Sequence, residues 1–91
     1  MTKEINITLE IQNKKGLHAR AAAAFVKAIS PFDAQICVER LGQEVSGCSI
    51  MGLMMLAASK GTTINIKASG KDAQKAVDAL KELINNKFNE D

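Results

Sequence analysis

Residues 5–29 read INITLEIQNKKGLHARAAAAFVKAI, and this stretch passes from one periodicity to another. Ile5, Ile7, Leu9 and Ile11 alternate with polar residues, the period of a strand with one buried face. Asn13 to Leu17 then read as a loop in which Gly16 relaxes the backbone. Ala22, Phe25, Val26 and Ile29 follow at i, i+3, i+4 and i+7, which predicts a helix that stops before Pro31. A one-sided strand followed by a one-sided helix is the first half of a two-layer α/β unit.

Outward from this stretch the same signals recur. Ala34, Ile36 and Val38 alternate, and Leu41-Gly42 predicts a hairpin into a short strand at about Glu44 to Gly47. Ser49 is placed to cap a short helix from Ile50 to Ala58, ended by Lys60-Gly61. Ile64, Ile66 and Ala68 form a last strand. Ala73, Ala76, Val77, Leu80, Leu83, Ile84 and Phe88 then build a long helix with an apolar stripe. The order β-α-β-β-α-β-α with one-sided strands implies an α+β fold. It is an open-faced two-layer sandwich, a four-stranded, mainly antiparallel sheet with three helices on one face. The other face, carrying Glu4, Asn6, Thr8, Glu10, Cys37 and Glu39, is expected to be wet.

Composition narrows the function classes. Ninety-one residues make one domain, 1–91, with one core and little room for a deep substrate cleft. A net charge of +2 and 3% aromatic residues, all Phe, argue against nucleic-acid binding. Met1-Thr2-Lys3-Glu4 has no leader-like apolar run, and Ile50 to Ala58 is too short to span a bilayer, so a cytoplasmic location is expected. Cys37 and Cys48 have no CxxC spacing and only one His to join them, so neither a metal site nor a disulfide is expected.

That one histidine, His18, is where chemistry is expected. At the N-cap of the first helix it sits beside unsatisfied backbone N–H groups and the positive end of the helix dipole, a setting that favours an anion. Arg20 adds a fixed charge suited to a phosphate. Imidazole is nucleophilic near neutral pH and holds a phosphoryl group at high transfer potential. Pattern alone places no second acid–base group beside it. In the second helix Leu53 and Leu56 are expected in the core, with Ile50, Met51 and Met54 left as an exposed apolar patch suited to several partners.

Gly16-Leu17-His18-Ala19-Arg20 with Ala22, Phe25 and Val26, then Ser49-Ile50-Met51-Gly52, then Lys60-Gly61, resemble the HPr family. These are the histidine-containing phosphocarriers of the bacterial phosphoenolpyruvate-dependent phosphotransferase system. The resemblance covers essentially the whole chain. The family usually has Pro after the Arg, where this chain has Ala21. The resemblance implies an open-faced sandwich and a carrier, not an enzyme, that needs no cofactor. His18 would take the phosphoryl group on Nδ1 from enzyme I and pass it to EIIA-type acceptors. It further implies that Ala19, Lys27, Ile50, Met51 and Met54 bind partners and that an HPr kinase/phosphorylase modifies Ser49. Alternatives are a carrier of the nitrogen-related branch that moves no sugar, and a non-catalytic adaptor binding through Ile50, Met51 and Met54. A monomer is expected.

Overall fold

A computed structural model describes residues 4–90. The ends of the expected 1–91 domain, with the first three residues read as free of a leader, lie outside the described residues. The elements are β1 (Glu4–Glu10), α1 (Ala19–Ile29), β2 (Gln35–Arg40), β3 (Gln43–Ser46), α2 (Ile50–Met55), β4 (Thr63–Ser69) and α3 (Ala73–Asn85), followed by a single 3-10 turn at Lys87–Asn89. The order is the predicted one. The sheet runs β1-β4-β2-β3 with every pair antiparallel, Ile7 opposite Ile66 and Val38 opposite Ile66 on β4.

Period 2 explains which face is covered. Ile64, Ile66 and Ala68 of β4 and Ile36 and Val38 of β2 are buried, while the residues between them face away from the core. The three helices lay their apolar stripes on that face. Ala22, Phe25 and Ile29 of α1, Leu53 of α2 and Ala76, Val77, Leu80 and Ile84 of α3 complete the core. Burying each large side chain contributes about 1.5–3 kcal/mol. Leu41 and Gly42, both at positive φ (52° and 84°), form the two-residue turn between β2 and β3 whose twist matches the strands.

The uncovered face is polar and cross-linked. Thr8 Oγ1 donates to Asn65 Oδ1 (2.7 Å), and Asn65 Nδ2 donates to Glu39 Oε1 (2.6 Å). Lys67 Nζ reaches Glu44 Oε2 at 3.3 Å. Cys37 lies on this face, off the core as predicted; partial burial, then its hydrogen bond to Glu44, pushes its thiol above the ordinary range.

Two helix ends differ from the sequence expectation. α2 stops at Met55 and not at Ala58, and Ala57 turns back at φ 51°. Leu56 and Ala58 are both 2% exposed, and residues two apart point to opposite sides of a helix. Burying both on one side therefore requires the helix to end between them. The freed Leu56 carbonyl accepts from Arg40 Nη1 (3.0 Å), and Lys60-Gly61 forms a separate turn. α3 likewise stops at Asn85, before Phe88. Asn85 and Asn86 favour local hydrogen bonding over continued helix, and Lys87, Phe88 and Asn89 then take φ of 55°, 54° and 60°. Phe88 remains buried at 5%, delivered to the core by this left-handed turn and not by the helix.

Candidate phosphoryl-acceptor site

The loop before α1 is held at the end of the sheet layer by Gly16. Its φ is +65°, and a Cβ there would lie 2.3 Å from the Ala58 carbonyl oxygen, so only glycine fits. This close approach lets Leu17 N–H donate to that same oxygen (2.9 Å) and buries Leu17. Gly61 N–H donates to Ile11 O (2.8 Å), binding the same two loops at their other end. His18 follows in extended conformation (φ −78°, ψ 179°) as the N-cap of α1, as predicted. Its carbonyl accepts from Ala22 N–H (2.8 Å), which leaves the N–H groups of Ala19, Arg20 and Ala21 without helical acceptors.

The His18 side chain does not cap those amides. Its Nε2 instead meets Glu90 Oε2 at 2.5 Å, with the two side chains 26% and 16% exposed. Glu90 Oε1 in turn accepts from Asn13 Nδ2 (2.9 Å), and the same Nδ2 donates to the Gly16 carbonyl (2.8 Å). Asn13 is fully buried. The sequence placed no acid–base partner beside His18, and Glu90 corrects this. Neither residue carried a sequence signal: Asn13 passed for a loop residue, and Glu90 reaches His18 from 72 positions away through a non-periodic turn. The retained hint was Phe88, an apolar anchor two residues before Glu90.

Arg20, in the first turn of α1, is exposed and makes no hydrogen bond or ion pair among the described residues. No acidic residue sits in that turn. Lys14, Lys15 and Arg20 line an open recess of about 350 Å³ whose far wall is Phe88 and Asn89, next to Glu90. The arrangement is a nucleophilic ring at a helix start with free amides and fixed positive charge beside it. Such a site stabilises a phosphate without a metal. Among the described residues no group of three or more His, Cys, Asp or Glu side chains is placed to hold a metal ion. A larger depression, about 670 Å³, lies on the polar sheet face around Cys37, Glu44 and Lys67, away from the histidine.

The remaining predicted residues fall on α1 and α2, which pack against each other. Ala19 is the exposed first helical residue, and Lys27 is exposed two turns beyond Arg20 on the same stripe. Ile50 (40% exposed), Met51 (75%) and Met54 (42%) form the expected patch, joined by Met55 (64%), which the sequence left unassigned. Leu53 and Leu56 are in the core as predicted. Ser49 caps α2, its Oγ accepting from Gly52 N–H at 2.9 Å. A Cβ at residue 52 would crowd Ser49 Oγ (3.0 Å) and Val45 Cβ (3.1 Å), which accounts for Gly52 in the Ser49-Ile50-Met51-Gly52 run. No hydrogen bond joins Ser49 to the His18 cluster among the described residues.

Comparison with known proteins agrees with this geometry. The family description "PTS HPr component phosphorylation site" matches residues 5–86. Phosphocarrier protein HPr of Xylella fastidiosa is 48% identical over 83 residues, covering 91% of this chain and 93% of that protein. Phosphocarrier protein NPr of Shewanella violacea is 41% identical over 90 residues, covering 99% and 98%. The crystal structure of HPr-C-His from Thermoanaerobacter tengcongensis superposes with a TM-score of 0.90 at 46% identity, covering 96% of this chain and 98% of that one. A matched profile across the sheet and helices, relatives of nearly equal length and a coincident fold all lead to one assignment: this chain belongs to the HPr family of phosphocarriers of the phosphotransferase system.

Proposed function

We propose that the chain carries a phosphoryl group on His18, accepting it from phospho-enzyme I charged by phosphoenolpyruvate and passing it to EIIA-type acceptors. The observation that carries this is the placement of His18 as the extended N-cap residue before three N–H groups without acceptors among the described residues, in a turn with Arg20 and no acid. Arg20 and the amides hold the phosphate, so the carrier needs no cofactor; it works as a monomer in the cytoplasm. Ala19, Lys27 and the Ile50, Met51 and Met54 patch form the docking face for successive partners. That face mixes exposed apolar and cationic groups, suited to partners that are apolar at the centre and acidic at the rim.

Ser49 has a structural task as the cap of α2, and its half-exposed hydroxyl borders the docking patch. Phosphorylation there by an HPr kinase/phosphorylase would put negative charge into that face and weaken docking. The resemblance to an NPr over nearly the full chain favours a second reading, a nitrogen-branch carrier that moves no sugar. Acceptor preference separates the two.

The test is intact-mass spectrometry, without acid, after incubation with phosphoenolpyruvate and an enzyme I, with His18→Ala in parallel. Gain of one acid-labile phosphoryl group by the native chain alone is the expected result. No gain by a folded native chain, with an enzyme I active on another carrier, overturns the proposal and favours an adaptor whose partner binding survives His18→Ala.

A further inference from the structure

We infer that Glu90 decides which nitrogen of His18 is phosphorylated: its carboxylate occupies Nε2 and leaves Nδ1 as the nucleophile. The inference deepens the carrier reading and rests on it. An ionised carboxylate only accepts hydrogen bonds, so the nitrogen 2.5 Å from Glu90 Oε2 carries the proton. In a neutral imidazole one nitrogen donates and the other holds a lone pair. With the proton fixed on Nε2, the lone pair is on Nδ1. Sterics act in the same direction, because an attacking nitrogen must bring the phosphorus centre within about 3–3.5 Å, and Glu90 fills that approach to Nε2. Nδ1, bonded to Cγ, is also the ring nitrogen nearer the residue's own backbone, where the free amides of Ala19, Arg20 and Ala21 begin α1.

Glu90 is held for this task from both sides. Its second oxygen accepts from Asn13 Nδ2, whose other proton goes to the Gly16 carbonyl. The amide cannot be turned over, since its oxygen would then face a carboxylate and a carbonyl. The cost is visible in Asn13 Oδ1, which is buried and has no partner among the described residues. On the other side, Glu90 is delivered by the left-handed residues Lys87, Phe88 and Asn89, an unfavourable course for side-chain-bearing residues, anchored by buried Phe88. A fully buried amide and the left-handed turn Lys87–Asn89 thus converge on one carboxylate and one ring nitrogen.

In the transfer step the Nδ1 lone pair attacks the donor's phosphorus and the P–Nδ1 bond forms. The bond from phosphorus to the donor breaks, its electron pair stays with the donor atom, and that atom takes a proton from solvent. The ring keeps its Nε2 proton and gains positive charge, which the Glu90 carboxylate opposite neutralises. Glu90 never touches the phosphoryl group; it is a positioning residue acting through the ring.

The test uses the full chain with ring-labelled ¹⁵N-histidine, as native protein, Glu90→Gln and Glu90→Ala, each checked for native circular dichroism. In mildly alkaline buffer, where imidazole is neutral, the native ring is expected to show a protonated-type Nε2, a lone-pair-type Nδ1 and a downfield, slowly exchanging Nε2 proton. Glu90→Ala loses that proton signal and moves both nitrogens toward averaged shifts, and Glu90→Gln, whose single amide oxygen is taken by the fixed Asn13 Nδ2 donor, turns its NH2 toward Nε2 and shifts the proton to Nδ1. Phosphoramidate then serves as a chemical donor without any partner protein, and ³¹P–¹⁵N coupling locates the product. Native protein gives the Nδ1 adduct, and Glu90→Ala gains a measurable share of the Nε2 adduct once that nitrogen is unmasked. A native ring protonated on Nδ1, or a Glu90→Ala variant with unchanged tautomer and product, overturns the inference even if enzyme I charges the protein normally. The expected tautomer response combined with no charging by enzyme I upholds the role of Glu90 at the ring and overturns only the carrier reading.

Discussion

Replacing Gly16 by Ala tests how the loop that presents His18 is held. The new Cβ would stand 2.3 Å from the Ala58 carbonyl oxygen and 2.9 Å from Ser59 Cα, both backbone atoms that cannot rotate away. The left-handed φ of +65° alone costs an L-residue about 1–2 kcal/mol. Relieving the overlap requires the two loops to part, which stretches the Leu17 N–H to Ala58 O bond (2.9 Å) and leaves buried polar groups poorly paired, for about 1–3 kcal/mol more. The sum is about 2–5 kcal/mol, or a Tm roughly 10–40 °C lower in a domain of this size. Gly61→Ala is the matched control: its φ is +89°, but nothing lies within 4 Å of the added methyl, so only the conformational cost of about 1–2 kcal/mol applies. Urea denaturation of both variants, with phosphoryl acceptance measured where each is still folded, separates the two contributions. Equal losses in the two variants, or a loss below about 1 kcal/mol in Gly16→Ala, would refute the close-approach account.

Leu41→Asn should stabilise the domain by about 0.5–1 kcal/mol, since Leu41 is 85% exposed at φ 52° and Asn-Gly is the preferred pair for this turn; a lower urea midpoint would count against it. Glu39 is held below the usual carboxylate range by Asn65 and the Gly42 amide, and Glu44 by its hydrogen bonds from Cys37 and Lys67. Groups depressed in this way stabilise the fold fully above the ordinary Glu value and lose that contribution as pH falls through their lowered values. Stability measured against pH should therefore decline on the acid side, and Glu39→Gln with Glu44→Gln should flatten the decline. In a Cys48→Ser background, Cys37 should alkylate more slowly than a free thiol at neutral pH, because burial and Glu44 raise it, and Glu44→Gln should speed the reaction; an unchanged rate would exclude the Glu44 contact. Ala21→Pro removes no helical hydrogen bond, because the Ala21 N–H has no acceptor in the first turn. Stability should then change by no more than about 1 kcal/mol and transfer rates only modestly. Complete loss of transfer would mean that the turn is built otherwise.

The parts of this molecule that obey a period were legible in the sequence. Alternation in β1, β2 and β4, the apolar stripe of α1 and the Leu41-Gly42 turn were all read correctly, because each follows from side-chain direction in a regular element. The end of α2 was not, since it depends on Leu56 and Ala58 being buried together, a tertiary demand that overrides helical spacing. At the site, His18 and Arg20 stood out as chemistry at a helix start. Asn13 and Glu90 did not, because their value comes from meeting each other across 77 positions through backbone that no local pattern encodes.

That long reach has a consequence for how the protein becomes active. Hairpin β2–β3 and the helices close over short stretches of chain, whereas the Asn13–Glu90 and His18–Glu90 contacts close nearly the whole polypeptide, the costliest loops to form. Contacts of such sequence separation are expected to close after the sheet has brought β1 and α3 together, and a short turn held by a few contacts is expected to open before the sheet does. A chain with a finished sheet but an unseated last turn would therefore hold His18 with both ring nitrogens free. On the role inferred for Glu90, seating of the turn at Lys87–Asn89 would couple the choice of ring nitrogen to completion of folding.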